Sequence, residues 1–168
     1  ANLEGVTLEG AELDRALYNS ETKWPEDFDY KNSGAYFIGQ SANLKNANLY
    51  RTHLWNANLQ NANLKHANLQ YANLSRANLE NTDLSCAVYD SNTIWPQDFD
   101  HQNSGAYLIE ENANLKNTDL QSVNLIGLDL KGANLKNADL SCALYNPDTQ
   151  WPEDFEYQAS GAYCIEEN

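Results

Sequence analysis

Residues 42–91 read ANLKN-ANLYR-THLWN-ANLQN-ANLKH-ANLQY-ANLSR-ANLEN-TDLSC-AVYDS, ten five-residue units in register. A period of five fits neither the 3.6 of an α-helix nor the simple alternation of a flat strand. The alanine and the leucine of each unit are two residues apart, so in extended backbone they share a face. Each unit is therefore expected to be a short extended side followed by a corner. Four sides close a coil of twenty residues, and coils stack at about 4.8 Å through strand-type hydrogen bonds.

The same unit continues on either side of this run. With the central residue called i, it falls at 3, 8, 13 and 18, at every fifth position from 44 to 89, and at every fifth from 115 to 145. These positions define repeat blocks at 1–20, 42–91 and 113–147. Position i is Leu except where Tyr18, Tyr89 and Tyr145 close the blocks, and i−2 is mostly Ala, with Leu128 the largest exception. A narrow interior explains the pairing, since a large residue beside every leucine would overpack it. Asn or Asp dominates i−1, where its side chain is expected to form ladders or to cap turns. A single coil cannot bury its own apolar face, so stability must come from stacking.

The tandem A-[N/D]-L-x-x pattern resembles the pentapeptide-repeat proteins. That resemblance implies an all-β fold, a right-handed quadrilateral β-helix with i and i−2 inward and i−1, i+1 and i+2 outward. The whole chain is then expected to form one solenoid domain, residues 1–168.

Between the blocks lie three copies of a second module, at 21–41, 92–112 and 148–168. They share T-x-W-P-x-D-F and S-G-A-Y-x-I. Proline fixes an extended approach, Asp27, Asp98 or Asp154 is placed to N-cap a short helical segment, and Gly34, Gly105 or Gly161 to end it. Trp24 and Phe28, Trp95 and Phe99, and Trp151 and Phe155 recur in order. Two roles suit them: packing the module onto the solenoid, or contacting a partner. Segments with W-P or F-P before Phe-Asp are similar to those beside pentapeptide repeats in cyanobacterial proteins. Some such relatives carry signal peptides, which implies the thylakoid lumen or periplasm, with the cytoplasm as the alternative. The chain has no methionine and opens on Ala1 inside a repeat, which points to an upstream segment removed in maturation or to trimming.

The formal net charge is −14, unevenly spread. Residues 42–91 carry +1, residues 113–147 are neutral, and the modules carry −2, −4 and −6 in chain order. Such a balance argues against direct binding of nucleic acid, whose phosphates need Lys and Arg. Among pentapeptide-repeat relatives, some are acidic duplex-DNA mimics that inhibit the type II topoisomerase gyrase. That reading needs a continuous acidic flank, and 42–79 contains no acid at all. No run approaches the twenty or so apolar residues of a membrane span.

Cys86, Cys142 and Cys164 lack C-x-x-C spacing, so no metal centre or redox motif is read. If the duplicated geometry brings Cys142 and Cys164 together they could form a disulfide; otherwise all three thiols are free. His53, His66 and His101 are scattered, without a nucleophile placed beside them. The D-F-D pairs offer too few oxygens for calcium. The expectation is therefore a chain with no catalytic, cofactor or metal residues. It is read as a structural or protein-interaction scaffold with an unidentified protein partner, and the alternative is the gyrase inhibitor.

Overall fold

A computed structural model describes residues 1–165. In each regular unit the N–H of i+3 donates to the carbonyl of i, as from Ala47 to Leu44 (3.0 Å) and from Ala62 to Leu59 (2.9 Å). The corner this closes puts i+2 at positive φ: 59° at Asn56, 58° at Asn61, 59° at His66. Asn tolerates that left-handed conformation, but Arg51, Tyr71 and Arg76 adopt it too, so the stack imposes it. Between corners, i−1 bridges in parallel to the residue twenty later, as in Asn43–Asn63 and Asn48–Asn68. Leu44 N–H donates to Asn63 O (2.8 Å) and Asn63 N–H to Ala42 O (2.9 Å). The Asn and Asp side chains at i−1 cap the corners: their Oδ1 accepts from the N–H of i+1, as Asn68 does from Gln70 (3.0 Å) and Asp83 from Ser85 (2.9 Å).

Stacking at twenty residues sets leucine over leucine. Leu49, Leu59, Leu64, Leu69 and Leu74 are fully buried, with Ala67 and Ala72 beside them. Leu128 is also buried at an alanine position, so the interior accepts one larger residue there. Each buried leucine contributes about 1.5–3 kcal/mol of transfer free energy, opposed by chain entropy. The architecture is the expected all-β quadrilateral β-helix, right-handed as in pentapeptide-repeat solenoids.

The modules form part of the helical wall. Lys23 bridges Asn2, Ile94 bridges Asn73 and Gln150 bridges Asp129, so Trp24, Trp95 and Trp151 take the place of a leucine. These pairs are twenty-one residues apart, and the extra residue is absorbed by an Asn/Asp-x-x-Thr turn. Asp90 N–H donates to Thr93 Oγ1 (3.1 Å), and Asp90 Oδ1 accepts from Thr93 Oγ1 and from Tyr71 N–H, both at 2.9 Å. In a regular coil a backbone carbonyl would accept from the Tyr71 N–H, as Gln70 O does from Arg51. The carboxylate replaces it, and Asn146 repeats the device by accepting from Gly127 N–H (2.9 Å).

The chain then regains pairing in short parallel strands. Strands β1 (Leu17–Tyr18) and β2 (Tyr36–Phe37) pair, as do β3 (Val88–Tyr89) with β4 (Tyr107–Leu108), and β5 (Leu144–Tyr145) with β6 (Tyr163–Cys164). The helical segment of each module is one 3₁₀ turn, at Tyr30–Asn32, His101–Asn103 and Tyr157–Ala159. Its N-cap is Asp29, Asp100 or Glu156, two residues later than Asp27, Asp98 and Asp154, because Phe28 and its equivalents lie in the preceding turn. Gly34, Gly105 and Gly161 follow at φ of 80°, 85° and 81°, the role expected of them.

Among the described residues, no backbone hydrogen bond joins 21–38 to 43–58, or 92–109 to 113–131. The ladder thus runs in three stacks, 1–38, 41–109 and 112–165. Side chains span the junctions. Tyr36 Oη accepts from Asn48 N–H (3.2 Å), and Tyr36, Phe37 and Ile38 pack against the core of the second stack. Val88 and Ile109 are buried in the core of the third, with Tyr107 against it.

Two substitutions test this account. Leu69→Ala is expected to lower unfolding stability by about 2–5 kcal/mol in urea denaturation, since the coils on either side hold the cavity open. Asp90→Ala, which strands the Tyr71 N–H while Thr93 Oγ1 keeps Leu69 O as acceptor, is expected to cost about 1–3 kcal/mol, and Asp90→Asn distinctly less, because Asn146 serves in the same place.

Candidate functional site

The recurring aromatics form one ring cluster per module. Trp95 stacks between Phe99 (centroids 5.4 Å apart) and His101 (5.6 Å), with its edge toward Tyr89 (5.3 Å). Trp24 sits likewise between Phe28 and Tyr30, and Trp151 between Phe155 and Tyr157. All six of the Trp and Phe rings read from the sequence are half-buried, and the indole N–H groups of Trp24 and Trp95 are buried without a partner.

A different aromatic group lies outward on the second stack. Tyr50, Trp55 and Tyr71 are 39%, 56% and 45% exposed. The two tyrosines meet edge to face at 5.5 Å, the Arg51 guanidinium lies over both rings at 5.0 and 5.3 Å, and Arg76 covers Trp55 at 5.7 Å. All stand at i+1 or i+2: Arg51 follows Tyr50 directly, Tyr71 lies twenty residues after Arg51, and Arg76 twenty-one after Trp55. The sequence reading passed over this face, although the coil length alone predicts its neighbours. Trp55 also borders an open groove of about 840 Å³ that reaches Leu3, Leu13 and Trp24 of the first stack.

The third feature lies where the second and third stacks meet. Outward residues of the 61–80 coil that a free solenoid would expose are buried there: His66 at 6%, Asn68 at 2% and Gln70 at 5%. A ring nitrogen of His66, the Cys86 sulfur and an Asp119 carboxylate oxygen lie within 4.8 Å of one another. His66 and Cys86 are left-handed corners one coil apart, and Asp119 comes from the first coil of the next stack. Burial lowers the His66 pKa, the Asp119 charge opposing it, and raises the Cys86 thiol, the Asp119 charge adding to it. The equal corner positions of His66 and Cys86 were legible in the sequence; the approach of Asp119 depends on packing between stacks and was not.

Cys142 and Cys164, the pair considered for a disulfide, are both free and exposed. Cys164 is in register with Tyr145, whereas the Cys142 N–H donates to Gly161 O, so they occupy different points of the coil. Among the described residues no helix is long and apolar enough to cross a membrane.

Eight copies of the family model for pentapeptide repeats match the chain, over residues 42–81 and 111–143. Solved structures similar to it include alr5209, a pentapeptide repeat protein from Nostoc PCC 7120, at 24% identity over 75% of this chain and 83% of that one, with a TM-score of 0.29. Another is HetL, a pentapeptide repeat protein involved in heterocyst differentiation regulation from the cyanobacterium Nostoc sp. strain PCC 7120. It is 26% identical over 70% of this chain and 54% of that one, with a TM-score of 0.22, so the match spans about half the length of HetL. No curated protein sequence matches the chain.

Thiol accessibility gives a direct check of the cysteine geometry. Native alkylation read by mass spectrometry is expected to label Cys142 and Cys164 first and the half-buried Cys86 at least about tenfold more slowly, since the thiolate is the reactive form and burial disfavours it.

Proposed function

We propose that this chain of pentapeptide repeats is a non-enzymatic protein-interaction scaffold. Its docking face is the aromatic and arginine side of the second stack, and its partner presents an acidic surface. The observation that carries this reading is the cluster of Tyr50, Arg51, Trp55, Tyr71 and Arg76. Large rings stand exposed there at a rigid wall, with guanidinium groups already laid over them. Trp, Tyr and Arg are the residue types that dominate binding energy at protein interfaces, and a preformed wall loses little conformational entropy on docking.

Charge supports the choice of partner. Arg51 and Arg76 put two guanidinium charges on this face, within a stretch, 42–79, without a carboxylate. These two guanidinium groups favour an acidic partner at this face. The same distribution disfavours the DNA-mimic alternative, which asks for acidic residues along the flank.

Cross-linking capture from source-cell lysate tests the reading, using the chain and a Tyr50→Ser/Trp55→Ser/Tyr71→Ser variant as baits. The substituted rings are exposed, so the variant is expected to keep its unfolding midpoint. A partner captured by the first bait, lost with the second and weakened by added salt is the expected outcome. Identical partners on both baits would overturn it.

A further inference from the structure

We propose that His66, Cys86 and Asp119 bind one zinc-class divalent metal ion at the seam between the second and third stacks. Three donors converge from two stacks, all within 4.8 Å of one another. Ligand atoms around tetrahedral zinc stand roughly 3.3–3.8 Å apart at bond lengths of about 2.0–2.3 Å, so small side-chain rotations close the site. A second observation is independent of that convergence. His66 is 6% exposed and its Nδ1 is buried with no hydrogen-bond partner, which is uncommon for a buried polar atom in a folded protein.

The donor set defines the ion. Imidazole nitrogen, thiolate sulfur and carboxylate oxygen together suit zinc and its borderline neighbours and exclude magnesium and calcium, which take oxygen shells. One Asp119 oxygen is committed to accepting from Gln121 N–H (3.1 Å), which orients the carboxylate. Binding replaces the Cys86 proton, which leaves to solvent; sulfur and metal keep their oxidation states. Three protein ligands leave a fourth position for water. Lys65 and Lys45 lie near enough to act on His66 and oppose a cation, while Asp83 favours it.

The three modules are near-duplicates, yet among the described residues this junction alone carries the trio. At the first junction the positions of Cys86 and Asp119 are held by Arg15 and Asn48, and in the third stack that of His66 is held by Ser122. A role in general solenoid architecture would place the same residues at each. The ion would instead pin this one seam, where no backbone hydrogen bond crosses among the described residues.

Cobalt(II) titration of the metal-free chain tests the site through the thiolate-to-cobalt charge-transfer absorption. The Cys142→Ser/Cys164→Ser variant, in which Cys86 is the sole thiol and only exposed residues are changed, is expected to show the band, saturating at one equivalent. Zinc should bleach it. Cys86→Ser should abolish it in the wild-type background, and Asp119→Asn should weaken binding by about tenfold or more. No band in the double variant would overturn the proposal, as would an undiminished band in Cys86→Ser, which would put the metal on the other two thiols.

Discussion

The corner governs this molecule. A hydrogen bond from i+3 back to i, with i+2 forced to positive φ, limits each side to five residues and each coil to twenty. From that length follow the column of leucines, the parallel bridges and the set of side chains that meet on the outer wall. Asparagine is frequent at i+2 because it accepts the left-handed conformation at little cost. Where Arg51, Tyr71 and Arg76 sit instead, the strain is offset by the hydrogen bonds of the stack and by contacts among those side chains.

The inward pattern was open to reading from sequence because it recurs every five residues with few exceptions. Leu at i and Ala at i−2 declare a narrow interior, and Asn at i−1 has the reach to cap the next corner. The modules were harder. Their tryptophans stand in leucine positions, but the extra residue that brings them there is taken up by Asn19-x-x-Thr22, Asp90-x-x-Thr93 and Asn146-x-x-Thr149. A spacing count registers that residue as a slip, without revealing the side chain that substitutes for a displaced carbonyl. The 3₁₀ turn begins two residues beyond the aspartates chosen from sequence, because the W-P-x-D-F stretch spends its first turn bringing Phe onto Trp.

What lay beyond sequence reading was the meeting of one stack with another. Asn68 and Gln70 are polar, outward by pattern, and buried in fact, since the third stack covers that wall. The same coverage brings Asp119 to His66 and Cys86, residues remote in the chain and unremarkable when read singly. Contacts inside a stack are set by a fixed offset of twenty, which arithmetic can follow; contacts between stacks depend on side-chain shape at an interface.

The blocks at 42–91 and 113–147 hold ten and seven units before their modules, so the chain leaves these two stacks from different sides of the square. Because the ladder stops at every module, the next stack is oriented by side-chain contacts near that exit and on the coil before it. One unit more or less in a block would then swing everything downstream by a quarter turn about the axis of that block. Repeat number modulo four thus acts as a directional code, by which a duplication of fifteen nucleotides redirects the molecule while leaving its core chemistry unchanged.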